Sequence, residues 1–567
     1  MHLLDSLGSA KDLTFTVFLH EQALTIAAES YAQYTNSPSV ALVTTGPGGT
    51  NTVTGLAAAW LDSTPVFVIS GQVKRSELVG GSGVRQIGPQ EIGIIPIVRS
   101  ITKYAVTVME PSEIRYHLER AWFEATSSRK GPVWLDIPLD IQAAEIDEEN
   151  LAGFIPDEKA EKTIYTTDGI LDLIKKSKRP LILAGNGIKL AGASKAFVEL
   201  LEKLNVPALL TWKVLDLLPY EHRLNFGCPG TLGHRYANFI LQNSDLLLVV
   251  GSRLDVSITA FNQTGFAPHA KKILIDIDKN EMEKMSFEAQ RIVSDAGDFV
   301  TALSSSHTLP LPIKEDWLFY CSSLKHKYPV VVPEYREQTD YVSAYVFIEE
   351  LCLELGENEI IVPESSGSAG EVTFQAWKVK KGQKIRNAAA LGSMGFGLPY
   401  SIGACIAQGR KRVTLINGDG AFQLNIQELE TVQRFKLPIK IFIWSNDGYA
   451  SIMATQRNFF NGRYVASERG SGLTLPDIKK IGEAYGIKTF EIKTNKELRS
   501  GIKAVLECDG PALCDVRMNP LQLTVPRAQS IKLPDGTMKS KPLHDMFPYL
   551  SESEIRENML APGAVVE

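Results

Sequence analysis

The sequence predicts an α/β protein built from three doubly wound, parallel-sheet domains. Three observations carry that expectation. The chain has 567 residues, room for three or four domains at the usual ~100–200 residues each. Apolar runs of strand length, many ending in Gly or Asp, alternate with stretches of helical periodicity, the pattern of strands that pair in parallel through helical crossovers. Two breaks divide the pattern into three blocks: the charged stretch EIDEENLAGFIPDEKAEK (145–162) and the looser SSSHTLPLPIKED (304–316).

The first block, 1–145, reads as strands at Val40–Thr44, Val66–Ser70 and Val133–Ile137. Helices are expected at Gln22–Tyr34, Thr50–Trp60 and Pro111–Ser127. The second, 160–310, contains RPLILAGNG from Arg179, DLLLVVGSRLD from Asp245 and KKILIDID from Lys271. The third, 335–545, contains NEIIVPESSGS, RVTLINGDG, IKIFIWSNDG and PALCDVRM, and a polar tail (546–567) ends in APGAVVE. Blocks one and three share a rhythm, without detectable sequence identity.

Composition narrows the function classes. Hydrophobic residues make up 44% and charged residues 22%, an ordinary soluble balance. A net charge of −6 gives no electrostatic case for binding nucleic acid or an anionic membrane. The six cysteines are scattered, with no CxxC pair, so a reducing, cytoplasmic setting is expected and disulfides are not. The N-terminus is short and polar for a signal peptide. No apolar run reaches the ~18–20 residues of a membrane span.

The chemistry is carried by INGDGAFQLNIQELETVQRF, which begins at Ile416. Val413–Ile416 reads as a buried strand, and Phe422, Ile426, Leu429 and Val432 as the buried stripe of a helix. Gly418 and Gly420 allow a tight turn. Asp419 falls at the carboxyl end of the strand, where open α/β sheets bind ligands. The helix start offers N–H groups to an anion, and a carboxylate beside an anion needs a cation between them. The competing reading is a plain strand-to-helix turn with Asp419 as N-cap. The next strand ends at Asn446, far enough on for one helix and one strand, so Asn446 is expected beside Asp419. Its amide oxygen and the Gly448 carbonyl complete a small oxygen-ligand set of the kind Mg²⁺ takes with substrate phosphates.

Gly-Asp-Gly followed after 25 residues by Asn resembles the signature of thiamine-diphosphate-dependent enzymes. HEQALTIAAESYA (20–32), TTGPGGTNTVTGLAAAWLDSTPVFVISGQ (44–72), GPVWLDIP (131–138) and LGSMGFGLPYSIGA (391–404) resemble the acetolactate-synthase-like family. The resemblance covers nearly the whole chain. It implies a pyrimidine-binding domain, a central domain of FAD-binding type and a diphosphate-binding domain, in that order. It implies that Glu21 is the catalytic carboxylate that bonds the aminopyrimidine of the cofactor. Met394 would support the bent cofactor, Gly392 would hold its amino group, and Pro47 and Asn51 would lie near the pyrimidine. Gly367, Ser368, Gly418, Gly420, Ala421 and Tyr449 would line the diphosphate end, with Asp419, Asn446 and Gly448 on the metal. In this family Glu21 and the Gly-Asp-Gly site come from different subunits, which implies a homodimer or homotetramer. Gly185, Gly187, Gly251, Arg253, Asp276 and Asp278 stand where flavin contacts would be expected, although Ser257 replaces the family's second arginine there. Carboligation involves no net redox change, so the FAD would be structural.

Three departures bear on the substrate. Pro89, Leu139 and Thr455 stand where the family usually carries phenylalanine, lysine and tryptophan. Their loss implies a larger, less cationic acceptor site, with Gln90 placed to bond a reacting oxygen. The pattern resembles branched-sugar carboligases of the CDP-yersiniose type, which join the two-carbon unit of pyruvate to a CDP-4-keto-3,6-dideoxy sugar. The alternatives are acetolactate synthase, flavin-dependent pyruvate oxidase and a silent cofactor-binding subunit. A first strand and a Gly-Pro loop that usually precede the glutamate segment are missing from this sequence, so the first sheet is expected to be short of a strand.

Overall fold

A computed structural model of the chain describes residues 1–156, 165–532 and 537–560. Part of the charged linker (157–164) and the terminal APGAVVE (561–567) lie outside the described residues. Three parallel sheets follow one another along the chain, in an α/β arrangement. The first holds β1 (Ser39–Val43), β2 (Val66–Gln72), β3 (Tyr104–Thr107) and β4 (Val133–Pro138), in spatial order β1-β2-β4-β3. The second holds β5 (Pro180–Ala184), β6 (Ala208–Leu210), β7 (Leu246–Val250), β8 (Lys271–Asp276) and β9 (Gln290–Val293), in order β6-β5-β7-β8-β9. The third holds β10 (Ile360–Pro363), β11 (Lys384–Ile385), β12 (Val413–Gly418), β13 (Ile439–Ser445), β14 (Lys488–Ile492) and β15 (Ala512–Arg517), in order β11-β10-β12-β13-β15-β14.

Strands covered by helices on both faces read as unbroken apolar runs. Every residue of β5, β7 and β13 is buried; PLILA and LLLVV are apolar throughout, and IKIFIWS is so apart from Lys440 and Ser445. In the third sheet the chain steps outward from β10 to β11 and then returns to the other side of β10 as β12. In the second it does the same around β5 and β7. Each reversal opens a crevice at the carboxyl ends of the flanking strands, the general ligand position in such sheets.

The first sheet has four strands, against five and six in the others. Ahead of it, Leu13, Phe15, Val17 and Leu19 alternate along an extended run and are 51–59% exposed. One helix departs from expectation. The stripe Phe422–Val432 lies on three pieces, Asp419–Phe422, a 3₁₀ turn at Gln423–Asn425, and Glu428–Arg434. The break falls where Asn425 Nδ2 donates to the Gly395 carbonyl at 2.8 Å, tying the turn to another loop.

The helix Glu21–Thr35 crosses the helix Gly397–Ala407 of the third block. A Cβ at Gly403 would collide with the Ala27 carbonyl, so only glycine allows this approach. Ser30 Oγ donates to the Tyr400 carbonyl at 2.7 Å, and the Tyr400 hydroxyl to Gln33 Oε1 at 2.7 Å.

Candidate active site

The third sheet's crevice is built from three strand ends. At the end of β12, Gly418 is the N-cap and Asp419 the first helical residue, so the plain N-cap reading of Asp419 is set aside. Asp419 Oδ1 accepts from Gly420 N–H at 2.8 Å. Its Oδ2 accepts from Asn446 N–H at 3.0 Å and Asp447 N–H at 3.1 Å. The expected neighbourhood of Asp419 and Asn446 therefore holds. The three bonds favour the charged carboxylate, but burial outweighs them and pushes its pKa up to about 7. Asn446 Oδ1 is buried and accepts no hydrogen bond among the described residues. A buried acceptor without a donor is costly; beside a carboxylate it fits a divalent cation with oxygen ligands. Gly448 must be glycine, because a Cβ there would collide with the Ser467 carbonyl. The Tyr449 ring and the Met394 methyl both lie over Gly420.

At the end of β10 stands Glu364, which the sequence reading passed over. Fully buried, it accepts from Ser365 N–H (2.9 Å), Phe396 N–H (3.2 Å) and Gly397 N–H (3.0 Å). It ties the turn before Gly367 to the loop that carries Gly392 and Met394. Burial pushes its pKa up to about 7. Glu364 directly follows the buried run IIVP, so the strand-end rule that picked out Asp419 also covers it. Gly367 and Ser368 open the next helix (Gly367–Ala376), and Ser451 lies close to Gly367.

From the first block, Glu21 is the first residue of its helix, with His20 as N-cap. Asn51 Nδ2 donates to Glu21 Oε2 at 3.0 Å, and Gly48 packs beside Glu21 Oε1. Pro47 and Asn51 belong to one short helix and are exposed. Glu428, a second buried carboxylate the sequence reading missed, anchors this helix start. Its Oε1 accepts from Leu19 N–H and His20 N–H, both at 3.1 Å, and its Oε2 from the Thr431 hydroxyl at 2.6 Å. Gln90 is exposed with φ +67°, its carbonyl against Gly46. A non-glycine residue held there stores strain, a recurrent mark of functional loops.

The second sheet's crevice opens into a cavity of about 360 Å³. Gly187, Gly251, Arg253 and Asp276 line it, and its far wall is Ser366 and Gly367 of the third block. Burial raises the pKa of Asp276 to about 6. Gly185 and Asp278 stand outside this lining. Gly185 N–H donates to the Val250 carbonyl at 2.9 Å, and Asp278 pairs with Arg129 at 2.7 Å.

Comparison with known proteins agrees with this geometry. Family models match in three places: the thiamine pyrophosphate enzyme N-terminal TPP binding domain over residues 1–92, the central domain over 167–303 and the C-terminal TPP binding domain over 365–516. The acetolactate synthase isozyme 1 large subunit of Escherichia coli K12 is 30% identical over 531 residues, 92% of this chain and 90% of that protein. The isozyme 2 large subunit of the same organism is 31% identical, covering 93% of this chain and 92% of its own length. A probable acetolactate synthase large subunit of Methanocaldococcus jannaschii is 31% identical, covering 90% and 86%. The chain belongs to the acetolactate-synthase-like family of thiamine-diphosphate-dependent enzymes. It is an enzyme of acyl transfer from a 2-keto acid.

Proposed function

We propose that the chain is a carboligase that takes the two-carbon unit of pyruvate and adds it to a ketone, a CDP-4-keto-3,6-dideoxy sugar in surface-polysaccharide synthesis. The observation that carries the acceptor assignment is the loss of bulk and positive charge at Pro89, Leu139 and Thr455. Thr455 lies on the helix Ala450–Phe459, which starts beside the Asn446 loop, and is exposed together with Ile452 and Phe459. That face is open and uncharged, which suits a bulky ketone with no charge beside its carbonyl better than a second keto acid, whose carboxylate adjoins the reacting carbon.

Asp419, Asn446 Oδ1 and the Gly448 carbonyl would hold Mg²⁺. The helix starts at Gly367–Ser368 and Gly418–Ala421 would hold the diphosphate, with Tyr449 alongside. When bound, thiamine diphosphate supplies the carbon nucleophile that no side chain provides. Gly392 and Met394 shape its seat. Glu21, oriented by the Asn51 amide and next to Pro47, would bond the aminopyrimidine through its carboxylate. Gln90 donates its amide to a reacting oxygen. The cavity between the second and third blocks suits a structural FAD, with Gly187, Gly251, Arg253 and Asp276 in its wall and Gly185 and Asp278 supporting them. Pro47, Asn51 and Gln90 lie on an open face of the single chain, which fits completion by the partner in a homodimer or homotetramer. We place the enzyme in the cytoplasm.

The test is incubation with pyruvate and either a second 2-keto acid or a CDP-keto sugar, with products identified by mass spectrometry. A branched sugar two carbons heavier is expected. Acetolactate as the sole carbon–carbon product would replace this reading with acetolactate synthase, with which the names of the relatives are also consistent. Flavin bleaching by pyruvate would point instead to an oxidase.

A further inference from the structure

The helix Ala450–Phe459 leads away from the Gly448 loop, and its end passes into the run RNFFNGRYVAS (457–467). Arg463 N–H donates to the Phe460 carbonyl at 3.1 Å, closing a turn over Asn461 (φ +54°) and Gly462 (φ +70°). Positive φ at both central residues marks the tight Asn-Gly turn, whose flanking residues face each other. Phe460 and Arg463 are therefore neighbours, and Arg457 stands one helical turn back from Phe460. Gln456 holds the run in place. Its Oε1 accepts from the Ser467 hydroxyl at 2.6 Å and from Val465 N–H at 3.3 Å, and its Nε2 donates to the Val465 carbonyl at 3.0 Å. The Ser467 carbonyl accepts from Tyr449 N–H at 2.9 Å, which stitches the run to the Gly448 loop.

This run presents chemistry that the chain itself does not satisfy. Arg457 and Arg463 make no ion pair, and their guanidinium groups donate to no acceptor, among the described residues. Arg463 is exposed and Arg457 half-buried. They are the only charged residues from Gly448 to Ser467. The acid that follows, Glu468, is engaged by Gly470 N–H at 2.8 Å. Other arginines of the same block do meet carboxylates: Arg336 pairs with Glu349 and Glu350, Arg499 with Glu354 and Arg517 with Asp515. Arginine is charged at any working pH, so the two unpaired groups are fixed positive charge in a protein of net charge −6. Between them the Phe460 ring is 53% exposed.

We propose that the turn Phe460–Arg463, together with Arg457, binds the nucleoside diphosphate of the acceptor. The two guanidinium groups take the diphosphate oxygens, and the Phe460 ring stacks on the base. A guanidinium fork fits phosphate oxygens in pairs, and every base offers a flat face to an aromatic ring. In a 4-keto sugar the carbonyl stands across the ring from C1, which bears the diphosphate. The charge of such an acceptor therefore lies away from its reacting carbon, further along the helix than the uncharged face of Ile452 and Thr455. At a rise of ~1.5 Å per residue, Arg457 and Phe460 lie roughly 10–15 Å out from the Gly448 loop, the order of reach of a hexose with two phosphates. The assignment rests on the sugar-nucleotide reading of the acceptor and names the residues that select for it.

The experiment uses the holoenzyme saturated with thiamine diphosphate, Mg²⁺ and FAD, so that CDP reports on neither cofactor site. CDP and inorganic pyrophosphate are titrated by calorimetry, and CDP is tested as an inhibitor against each substrate. We expect one saturable CDP site, competition with the CDP-keto sugar and none with pyruvate. Arg457→Gln and Arg463→Gln should each weaken CDP by about tenfold or more. Arg463→Lys should weaken it less, because an ammonium keeps the charge without the fork. Phe460→Leu should weaken CDP by about fivefold or more and leave pyrophosphate unchanged. In each variant KM for the CDP-keto sugar should rise in step with the Kd of CDP. If a branched sugar forms but the wild type takes up no CDP, or CDP competes with pyruvate, or all the variants bind CDP like the wild type, the proposal falls and the acceptor reading stands. If no branched sugar forms and no CDP is taken up, both fall.

Discussion

Asp419 is held by three N–H donors and still raised to about 7, so its carboxylate is placed for a charge the protein does not itself provide. Replacing it with alanine removes the anionic metal ligand. Mg²⁺-dependent binding of thiamine diphosphate should then weaken by about 2–5 kcal/mol, the scale of losing one member of a buried charge pair; calorimetry at several Mg²⁺ concentrations reads it. Wild-type affinity in that variant would remove the metal site from Asp419. Gln90 invites the opposite experiment. Its φ of +67° costs a side chain about 1–3 kcal/mol, so Gln90→Gly should keep or raise stability in denaturant while activity falls. A variant that is less stable and equally active would make Gln90 a structural residue. Asp419 and Asn446 are legible as neighbours because their motif and its spacing are local, and Glu21 is singled out only by the resemblance of its segment to the family. Glu364 falls under the strand-end rule that picks out Asp419, but Glu428 is not legible, because what it does depends on remote partners: it holds Leu19 and His20, 409 and 408 positions away.

The same distinction separates the elements. β7 and β13 are legible because each is buried on both faces, β7 apolar throughout and β13 apolar apart from Lys440 and Ser445. β3 and β14 went unread. β3 is only half-buried along its length, and β14, an edge strand, interleaves Lys488, Thr489 and Glu491 with Phe490 and Ile492. An edge strand gets its pairing from the sheet rather than from its own pattern. The helix Glu21–Thr35 is legible, yet its seating is set by Glu428, His20 and Asn425, none of which periodicity singles out. Glu428→Ala should leave the Leu19 and His20 amides without a partner. Two unsatisfied donors cost about 1–3 kcal/mol each. The visible outcome is faster hydrogen exchange at those two amides, with thiamine-diphosphate-dependent activity reduced and partly restored in Glu428→Gln. Unchanged exchange would show that Glu428 does not anchor the helix.

Across the whole molecule, eight carboxylates among the described residues are displaced upward, chiefly by burial, and four of them are raised to between about 6 and 7. Asp136 and Asp276 are raised to about 6, and Glu364 and Asp419 to about 7. Glu364 and Asp419 flank the reversal of the third sheet, where β10 and β12 end, and Asp276 closes β8 in the second. The domain rhythm that predicts those sheets says nothing of this loading, which follows from how deeply the blocks pack together. A carboxyl group whose folded pKa lies above its unfolded value binds its proton more tightly in the folded chain. Its contribution is fully present below the unfolded value of about 4 and is lost as pH rises through 6 and 7. The cofactor-free protein should therefore lose unfolding midpoint steadily between about pH 5 and pH 7.5. Each unit of displacement is worth about 1.4 kcal/mol. Glu364→Gln should flatten the upper part of that slope, since Glu364 titrates near the top of the window. Mg²⁺ with thiamine diphosphate should recover part of the loss at pH 7.5, because a cation beside Asp419 favours its charged form. Removing the metal with a chelator should restore the full slope. A midpoint that instead rises from pH 5 to pH 7.5 without cofactor would mean that these four groups are ionised at little cost, and that the strand ends are far better solvated than their burial implies.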